Sequence, residues 1–262
     1  MDYLQIIILA LIQGITEFLP ISSSGHLILF SDLYGRQQQD VNFDISVHLG
    51  TLLAACFYFK NDLKKIVQSA FPSKRSDYGA NLIINLFVAV TPVLIVGFFI
   101  KDFVDLFLRN IEVIASATIF FAFILYISTR FNSSKNDISL ITYKQSFVIG
   151  LAQCLALIPG TSRSGITISA GLMLGMDNKT ASKFSFLLAV PTIGAIACYQ
   201  FLSLDLSSFL ATFKQNLIGA LISFIVAYFT IDFFIKFIDR IGFIPFIIYR
   251  IILGLGLFFL IL

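Results

Sequence analysis

The sequence predicts an all-α, polytopic membrane protein with six transmembrane helices and two re-entrant pairs of half-helices, arranged as inverted-topology repeats. The first observation behind this prediction is composition: 58% of residues are hydrophobic, 13% are charged and the mean hydropathy is +0.92. Soluble domains carry about 25% charged residues. The second observation is a polar island inside each of two apolar regions, and the third is the repetition of those regions along the chain.

Charge and cysteine content exclude several classes of protein. The net charge of +3 is modest, so nucleic acid is not an expected partner. Its three cysteines are scattered, which favours neither a disulfide framework nor a zinc site. Residues 4–12 lead directly into a polar motif, so we expect no cleaved signal peptide. We expect residues 1–262 to form a single integral membrane domain.

Six apolar stretches are long enough to cross the roughly 30 Å hydrocarbon core as helices. They lie near residues 44–59, 82–100, 111–129, 181–200, 216–235 and 243–262. Two further apolar regions, 3–34 and 145–176, are interrupted by the polar islands. We interpret each as a re-entrant pair of half-helices, because irregular backbone at membrane depth is tolerated only against protein or a wet cavity.

The two interrupted regions resemble each other at one constant offset along the chain. The residues that match at this offset are Gln13, Ser22, Ser24 and Gly25 with Gln153, Ser162, Ser164 and Gly165. The order of elements also repeats, with a broken pair followed by three spans. We therefore expect one repeat over about 1–130 and a second over about 145–262.

Loop charge predicts the orientation of the chain. If the spans alternate, twelve Lys and Arg residues fall in one set of loops and four in the opposite set. The positive-inside rule places the first set, including loops at about 60–81 and 130–144, in the cytoplasm. The first broken pair then enters from outside and the second from the cytoplasm, which predicts inverted repeats with a site near the midplane.

Both islands, residues 13–26 and 159–167, interrupt a helix at a proline. Pro20 and Pro159 end the first half-helix of each pair, because proline lacks a donor and disfavours helix before it. Candidate N-caps for the next half-helix are Ser22 or Ser23 in the first island and Thr161 or Ser162 in the second. Two helix N-termini and the guanidinium of Arg163 then predict an anion site that suits phosphate.

Glu17 and His26 indicate chemistry as well as binding. A carboxylate repels phosphate unless it holds a divalent cation or manages a proton. His26 follows Ser23 by three residues and shares one face of the second half-helix with it, where it could be a general base, a general acid or a phosphoryl acceptor. Gln13 lies one turn before Glu17 and can share its ligand shell.

We expect most polar residues in the apolar helices outside the islands to stabilise the fold and to take no part in chemistry. We interpret His48, early in the first full span, as a buried, hydrogen-bonded histidine, with a position facing the site as the alternative. Arg250, inside the last span, is interpreted as a snorkelling side chain or a subunit contact. Asn81 and Asn85 are interpreted as interhelical hydrogen-bonding residues.

Two long motifs run through the islands. The first contains Gln13, Glu17, Phe18, Leu19, Pro20, Ser22, Ser23, Gly25 and His26, and the second contains Pro159, Gly160, Ser162, Arg163, Ser164 and Thr167. These motifs resemble those of the undecaprenyl-diphosphate phosphatases, the bacitracin-resistance family, and the resemblance extends along essentially the whole chain. Gln13 stands where many members carry Glu, which leaves this chain one acidic ligand for a metal.

The resemblance implies an integral membrane enzyme that removes the terminal phosphate of undecaprenyl diphosphate. This reaction recycles the lipid carrier for peptidoglycan and other envelope polymers and confers bacitracin resistance. The resemblance also implies a bacterial inner-membrane location and a site open to the periplasm, although the charge count agrees for the first island only. The alternative function is a secondary transporter or flippase of a lipid phosphate. Expected partners are a polyprenyl diphosphate lipid, the bilayer and a second copy in a homodimer.

For the reaction, we expect Ser23 to be the nucleophile and His26 to shuttle its proton, with His26 itself as the alternative phosphoryl acceptor. Glu17 is expected to orient His26 or a Mg²⁺ or Ca²⁺ ion, with Gln13 as a neutral partner. Arg163 is expected to neutralise developing charge. The residues expected to bind substrate are Gln13, Ser22, Gly160, Ser162, Ser164 and Thr167.

Overall fold

The computed structural model describes residues 2–33, 41–69, 71, 76–131, 137–202 and 206–260, and these form helices joined by turns, which confirms the all-α prediction. The α-helices of these ranges are α1 (Tyr3–Thr16), α2 (Ser23–Leu33), α3 (Val41–Tyr58), α4 (Lys60–Ser69), α5 (Asp77–Phe103), α6 (Ile111–Ser128), α7 (Tyr143–Cys154), α8 (Arg163–Met173), α9 (Asn178–Leu202), α10 (Leu206–Ala211), α11 (Phe213–Ile241) and α12 (Ile244–Phe259). The loop charges Arg36, Lys74, Arg75 and Lys135 lie outside the described residues, as does the side chain of Ser24.

Within the described ranges, four helices are long and apolar enough to cross a membrane. They are α5 with its π-helical extension to Leu108, α6 with its final 3₁₀ turn, α9 and α11. These four match four of the six predicted spans. The predicted span near 44–59 lies in α3, which has 18 residues, and the one near 243–262 lies in α12, which is apolar but has only 16.

The predicted interruptions are present in both broken regions. Helices α1, α2, α7 and α8 have 14, 11, 12 and 11 residues. At 1.5 Å per residue, the longest of them reaches about 21 Å, less than the thickness of a hydrocarbon core. The offset between the two islands also relates the start of α1 to that of α7, and both the start and the end of α2 to those of α8.

Helices from the two halves of the chain pack against each other. Helix α1 packs on α11 and α7 packs on α5, while α3 lies against both α11 and α9. Small residues permit this close approach: a Cβ at Gly50 would lie 2.3 Å from the carbonyl oxygen of Ala220, and one at Gly150 would lie 2.5 Å from that of Ala89. Each broken pair therefore packs against helices from the other half of the chain.

Polar and aromatic contacts hold the broken pairs in this arrangement. Phe18, in the first island, is fully buried and packs edge-on against Phe186 of α9 at a centroid distance of 5.2 Å. Buried Asn85 of α5 donates to the carbonyl of Ile141 and accepts from Ser146 Oγ of α7, both at 2.9 Å. The Asn85 bonds confirm the predicted interhelical role, and Asn81 of α5 likewise accepts from the hydroxyl of Tyr143.

Candidate active site

In each island, a serine with positive φ directly precedes the second half-helix. Ser22 has φ of 69° and Ser162 has φ of 68°, and these are the two non-glycine residues with positive φ in the part of the chain that the structure describes. Such backbone costs an L-residue on the order of 1–3 kcal/mol and concentrates at functional sites. Ser162 Oγ accepts from the amide of Gly165, which confirms it as the N-cap of α8, while α2 begins directly after Ser22.

An ion pair joins the two islands. Arg163 Nη2 donates to Glu17 Oε1 at 2.7 Å, and the two side chains are only 14% and 9% exposed. Gln13 Nε2 donates to Glu17 Oε2 at 2.8 Å, so the residue one turn earlier on α1 holds the second carboxylate oxygen. The Arg163 guanidinium also lies 5.9 Å from the centre of the Phe18 ring. The predicted meeting of the islands is therefore a direct contact between charged groups.

Hydroxyl groups of the second island make further contacts around this pair. Ser164 Oγ donates to the carbonyl of Leu19 in the first island at 2.9 Å, and it lies 3.2 Å from Ser162 Oγ. Thr167 Oγ1 lies 2.7 Å from Ser185 Oγ of α9, and the carbonyl of Ser185 accepts from Arg163 Nη1 at 3.2 Å. Ser185 thus positions both Arg163 and Thr167.

His26 is held at both ring nitrogens. Its Nδ1 lies 2.7 Å from the carbonyl oxygen of Ser22, and its Nε2 lies 2.6 Å from the hydroxyl of Tyr249 in α12. A carbonyl can only accept, so Nδ1 carries a proton, and in the neutral ring Nε2 accepts from Tyr249. The expected contact between His26 and Ser23 is replaced here by these two bonds, although half-buried Ser23 begins the same helix.

The position of His48 shows that the preferred sequence interpretation, a buried structural histidine, is wrong. Its Nδ1 donates to the carbonyl of Asp44 on the same helix, as such a histidine would. However, its side chain is 37% exposed, and its Nε2 lies 3.8 Å from Glu17 Oε2. The alternative interpretation, in which His48 faces the site, agrees with the structure, because α3 packs against α1.

Arg250 contradicts both sequence interpretations of that residue. It is 0% exposed, so it neither snorkels to an interface nor contacts a second subunit. Its Nη2 donates to the carbonyls of Gly160 at 3.1 Å and Thr161 at 2.9 Å, and its Nε donates to that of Thr118. The second island therefore contacts a second arginine. Gly160 was expected to bind substrate, but its carbonyl already accepts a hydrogen bond from Arg250.

Sequence reasoning missed some residues of the site. Arg250 and His48 carried a usable signal, because ionisable side chains in apolar helices are costly and usually serve a function. Ser185 and Tyr249 carried none, because a serine or tyrosine in an apolar helix is unremarkable until its partner is known. Their contacts join residues that are 18 and 223 positions apart in the chain.

The protein groups around Glu17 provide few metal ligands. In the described ranges, no cluster of three His, Cys, Asp or Glu residues could hold a metal ion. Gln13 Oε1 is nevertheless a buried oxygen without a hydrogen-bond partner there, and its amide adjoins the Glu17 carboxylate. Mg²⁺ and Ca²⁺ need six or more oxygen ligands, so these two side chains fit an ion only as a part of its shell.

The arrangement can bind a phosphorylated group and act on it. The Arg163 guanidinium, the hydroxyls of Ser162, Ser164 and Thr167 and the first turn of α8 lie together at the contact between the islands, and all of them favour negatively charged oxygens. The Glu17 carboxylate and His48, whose Nε2 is 3.8 Å from that carboxylate, lie beside them and can transfer protons or hold a cation, while His26 belongs to the same island as Glu17. This combination is typical of phosphoryl transfer, in which positioning and charge stabilisation supply most of the catalysis.

Comparison with known proteins agrees with this description. Residues 6–256 match the family described as bacitracin resistance protein BacA. The chain is 44% identical over 260 residues to undecaprenyl-diphosphatase 1 of Pseudoalteromonas translucida, covering 98% of each protein. It is also 44% identical over 264 residues to the undecaprenyl-diphosphatase of Saccharophagus degradans, covering 100% of this chain and 99% of that protein. The chain therefore belongs to the bacitracin resistance protein BacA family.

Proposed function

We propose that this protein hydrolyses undecaprenyl diphosphate to undecaprenyl phosphate and inorganic phosphate. This reaction recycles the lipid carrier for peptidoglycan synthesis and confers resistance to bacitracin. The observation that carries the proposal is the direct contact of Arg163 with Glu17, which brings the two islands together in a chain of this family. The relatives' name supports the substrate, since they are called undecaprenyl-diphosphatases.

In this proposal, the polyprenyl tail stays in the bilayer while the diphosphate enters between the islands. Arg163 and the hydroxyls of Ser162 and Thr167 hold phosphate oxygens and stabilise their charge in the transition state. Ser23 Oγ attacks the terminal phosphorus, Nε2 of His26 takes its proton once the Tyr249 hydroxyl has turned away from that nitrogen, and undecaprenyl phosphate leaves. Water then hydrolyses the phosphoserine to release inorganic phosphate. Attack by His26 Nε2 on the terminal phosphorus is the alternative, and it also requires Tyr249 to leave that nitrogen.

The test of the function is phosphate release by the purified protein in detergent, with undecaprenyl diphosphate as substrate. An enzyme needs one compartment, whereas a transporter or flippase needs two, so release in micelles separates these classes. We expect turnover that depends on the lipid diphosphate. Absence of phosphate release from a folded sample, together with transport in vesicles, would favour the transporter.

We also propose that Glu17 and Gln13 hold a Mg²⁺ or Ca²⁺ ion whose shell is completed by the diphosphate of the substrate. The bound ion would supply charge neutralisation at the phosphates. The Glu17→Gln variant should respond less to added Mg²⁺ after chelation, because a neutral amide is a weaker ligand than a carboxylate. Rates measured across a Mg²⁺ titration check this, with Glu112→Gln on α6 as the control. An unchanged metal profile in Glu17→Gln would count against ligation.

We propose that the chain is a single membrane domain of two inverted repeats, with six spans and two re-entrant pairs. The equivalent positions of the half-helices in the two halves and the matching φ angles of Ser22 and Ser162 support the repeat. We further propose that the protein lies in the bacterial inner membrane with its site open to the periplasm. We also propose that it forms a homodimer, and chemical crosslinking in membranes would test this oligomeric state.

Cysteine labelling tests the proposed orientation. In a variant whose native cysteines are replaced, Arg109→Cys should react with a membrane-impermeant maleimide in intact spheroplasts. Lys64→Cys should react only after permeabilisation, because the positive-inside rule places its loop in the cytoplasm. Both positions are exposed, so access to the reagent is not limited by the protein itself. The reverse pattern would show that the topology is inverted.

A further inference from the structure

Helix α12 contacts both islands through two consecutive residues. Tyr249 donates its hydroxyl proton to Nε2 of His26, as the tautomer assigned above requires, and the two rings are nearly parallel at 7°. Arg250 donates to two carbonyls in the second island. Consecutive helical residues point about 100° apart, so a single helix can serve both islands only if it runs between them.

The bonds of Arg250 fall on a segment with unusual backbone. Gly160 has φ of 94° and Ser162 has φ of 68°, and the carbonyls that Arg250 binds belong to residues 160 and 161. Its remaining nitrogen, Nη1, has no hydrogen-bond partner among the described residues and would lie 2.8 Å from a Cβ at Gly165. A fully buried guanidinium is costly, so these carbonyl bonds are needed to keep it there.

We propose that Tyr249 and Arg250 are positioning residues that together align the two islands for the reaction. In the resting site, Tyr249 fixes the ring orientation of His26 and holds Nε2 in the unprotonated, acceptor form, which receives the Ser23 proton when the Tyr249 hydroxyl turns away. Arg250 fixes the turn from which α8 begins, and thereby the position of Arg163. Neither residue needs to touch the substrate for this role. The expected effects on turnover rest on the proposed function, whereas the contact between Tyr249 and His26 does not.

The Tyr249→Phe variant removes a single oxygen atom and tests the first half of this inference. We expect kcat for phosphate release to fall about tenfold with KM within about twofold, since the loss of one hydrogen bond of about 1.4 kcal/mol frees the His26 ring. The melting temperature should stay close to that of the wild type. Tyr143→Phe is the matched control, because its hydroxyl also bonds across helices, to Asn81, but outside the site.

Nitrogen-15 NMR of labelled histidine gives a second readout that does not depend on activity. The chain has two histidines, so a His48→Gln variant assigns the His26 signals. We expect Tyr249→Phe to move the Nε2 signal of His26 and to leave Nδ1 protonated, since its bond to Ser22 remains. Unchanged kcat and an unchanged His26 spectrum in Tyr249→Phe would overturn the inference. Wild-type protein without phosphate release would instead overturn the proposed function, and the spectrum would still decide the contact.

The Arg250→Lys variant tests the second half. Lysine keeps the charge but loses the planar fork that reaches three carbonyls. We expect at least a tenfold lower kcat, whereas Arg240→Lys at the exposed end of α11 should match the wild type. Wild-type turnover in Arg250→Lys would exclude the proposed role of that arginine. If Arg250→Lys does not fold, the Tyr249→Phe arm still decides the inference for His26.

Discussion

Replacing Arg163 with alanine should lower kcat/KM for phosphate release by about 10³-fold or more, equivalent to about 4 kcal/mol of transition-state stabilisation. Arg163 is the cation that the structure places between the two islands, in contact with Glu17 and the carbonyl of Ser185. Its planar fork can bind two phosphate oxygens at once, and charge spreads over those oxygens during phosphoryl transfer. Initial rates of phosphate release across lipid concentrations measure the loss.

The Arg163→Ala variant also leaves the buried Glu17 carboxylate without its cation, which could cost about 3–5 kcal/mol of stability. Arg163→Lys separates the two effects, because it keeps a charge near Glu17 but cannot bind two oxygens in a fixed geometry. We expect this variant to fold and to remain severely impaired. Arg109→Ala, at an exposed surface pair with Asp105, is the control and should be fully active. Near-wild-type turnover in a folded Arg163→Lys variant would refute the bidentate role.

Loss of the Ser23 hydroxyl should reduce turnover to a similar extent, and loss of the His26 imidazole should reduce it about 10²- to 10⁴-fold. The reason is that Ser23→Ala removes the proposed nucleophile, while His26→Ala removes the group that takes its proton. Rapid quench with ³²P-labelled lipid diphosphate reports any phosphorylated enzyme. We expect His26→Ala to form a phosphorylated adduct that survives acid, and Ser23→Ala to form none.

The opposite labelling pattern would favour the histidine mechanism. A phosphohistidine is labile in acid, so it would appear in Ser23→Ala only when the sample is kept alkaline, and it would be absent from His26→Ala. Ser69→Ala provides the control, because Ser69 on α4 bonds to the carbonyl of Lys65 on its own helix and to Ser76, outside both islands. It should release phosphate at the wild-type rate.

The two halves of the chain share a backbone feature but carry different side chains at matched positions. Ser22 and Ser162 both have a positive φ at matched positions, and each directly precedes the second half-helix of its island. At the same offset, however, His26 corresponds to Ile166 and Ser23 corresponds to Arg163. In the proposed mechanism, the first island therefore supplies the acid–base groups and the second supplies the cation, so neither island alone is a complete site.

Much of this structure could be predicted because many of its features depend on composition or on residues close together in the sequence. Apolar composition and proline-broken regions indicated membrane helices and two interrupted hairpins, and the N-cap chemistry of Ser162 depends on neighbours three residues away. The meeting of the islands was also predictable, because inverted broken helices bring their half-helix N-termini together near the midplane, where Arg163 adds a cation to an anion site. The pair of Glu17 with Arg163 agrees with that expectation.

The sequence by itself determined the class of protein, the helical fold and the two islands. Composition, helix breakers and motif spacing indicate these features without knowledge of which helices pack together. Only the tertiary structure decided which side chains each island meets. His48 faces Glu17, Ser185 holds Arg163, and α12 reaches His26 through Tyr249, because helices distant in sequence pack across the two halves. Periodicity within one helix gives the faces of that helix but not the neighbour that covers each face, so these contacts depend on the packing of the whole chain.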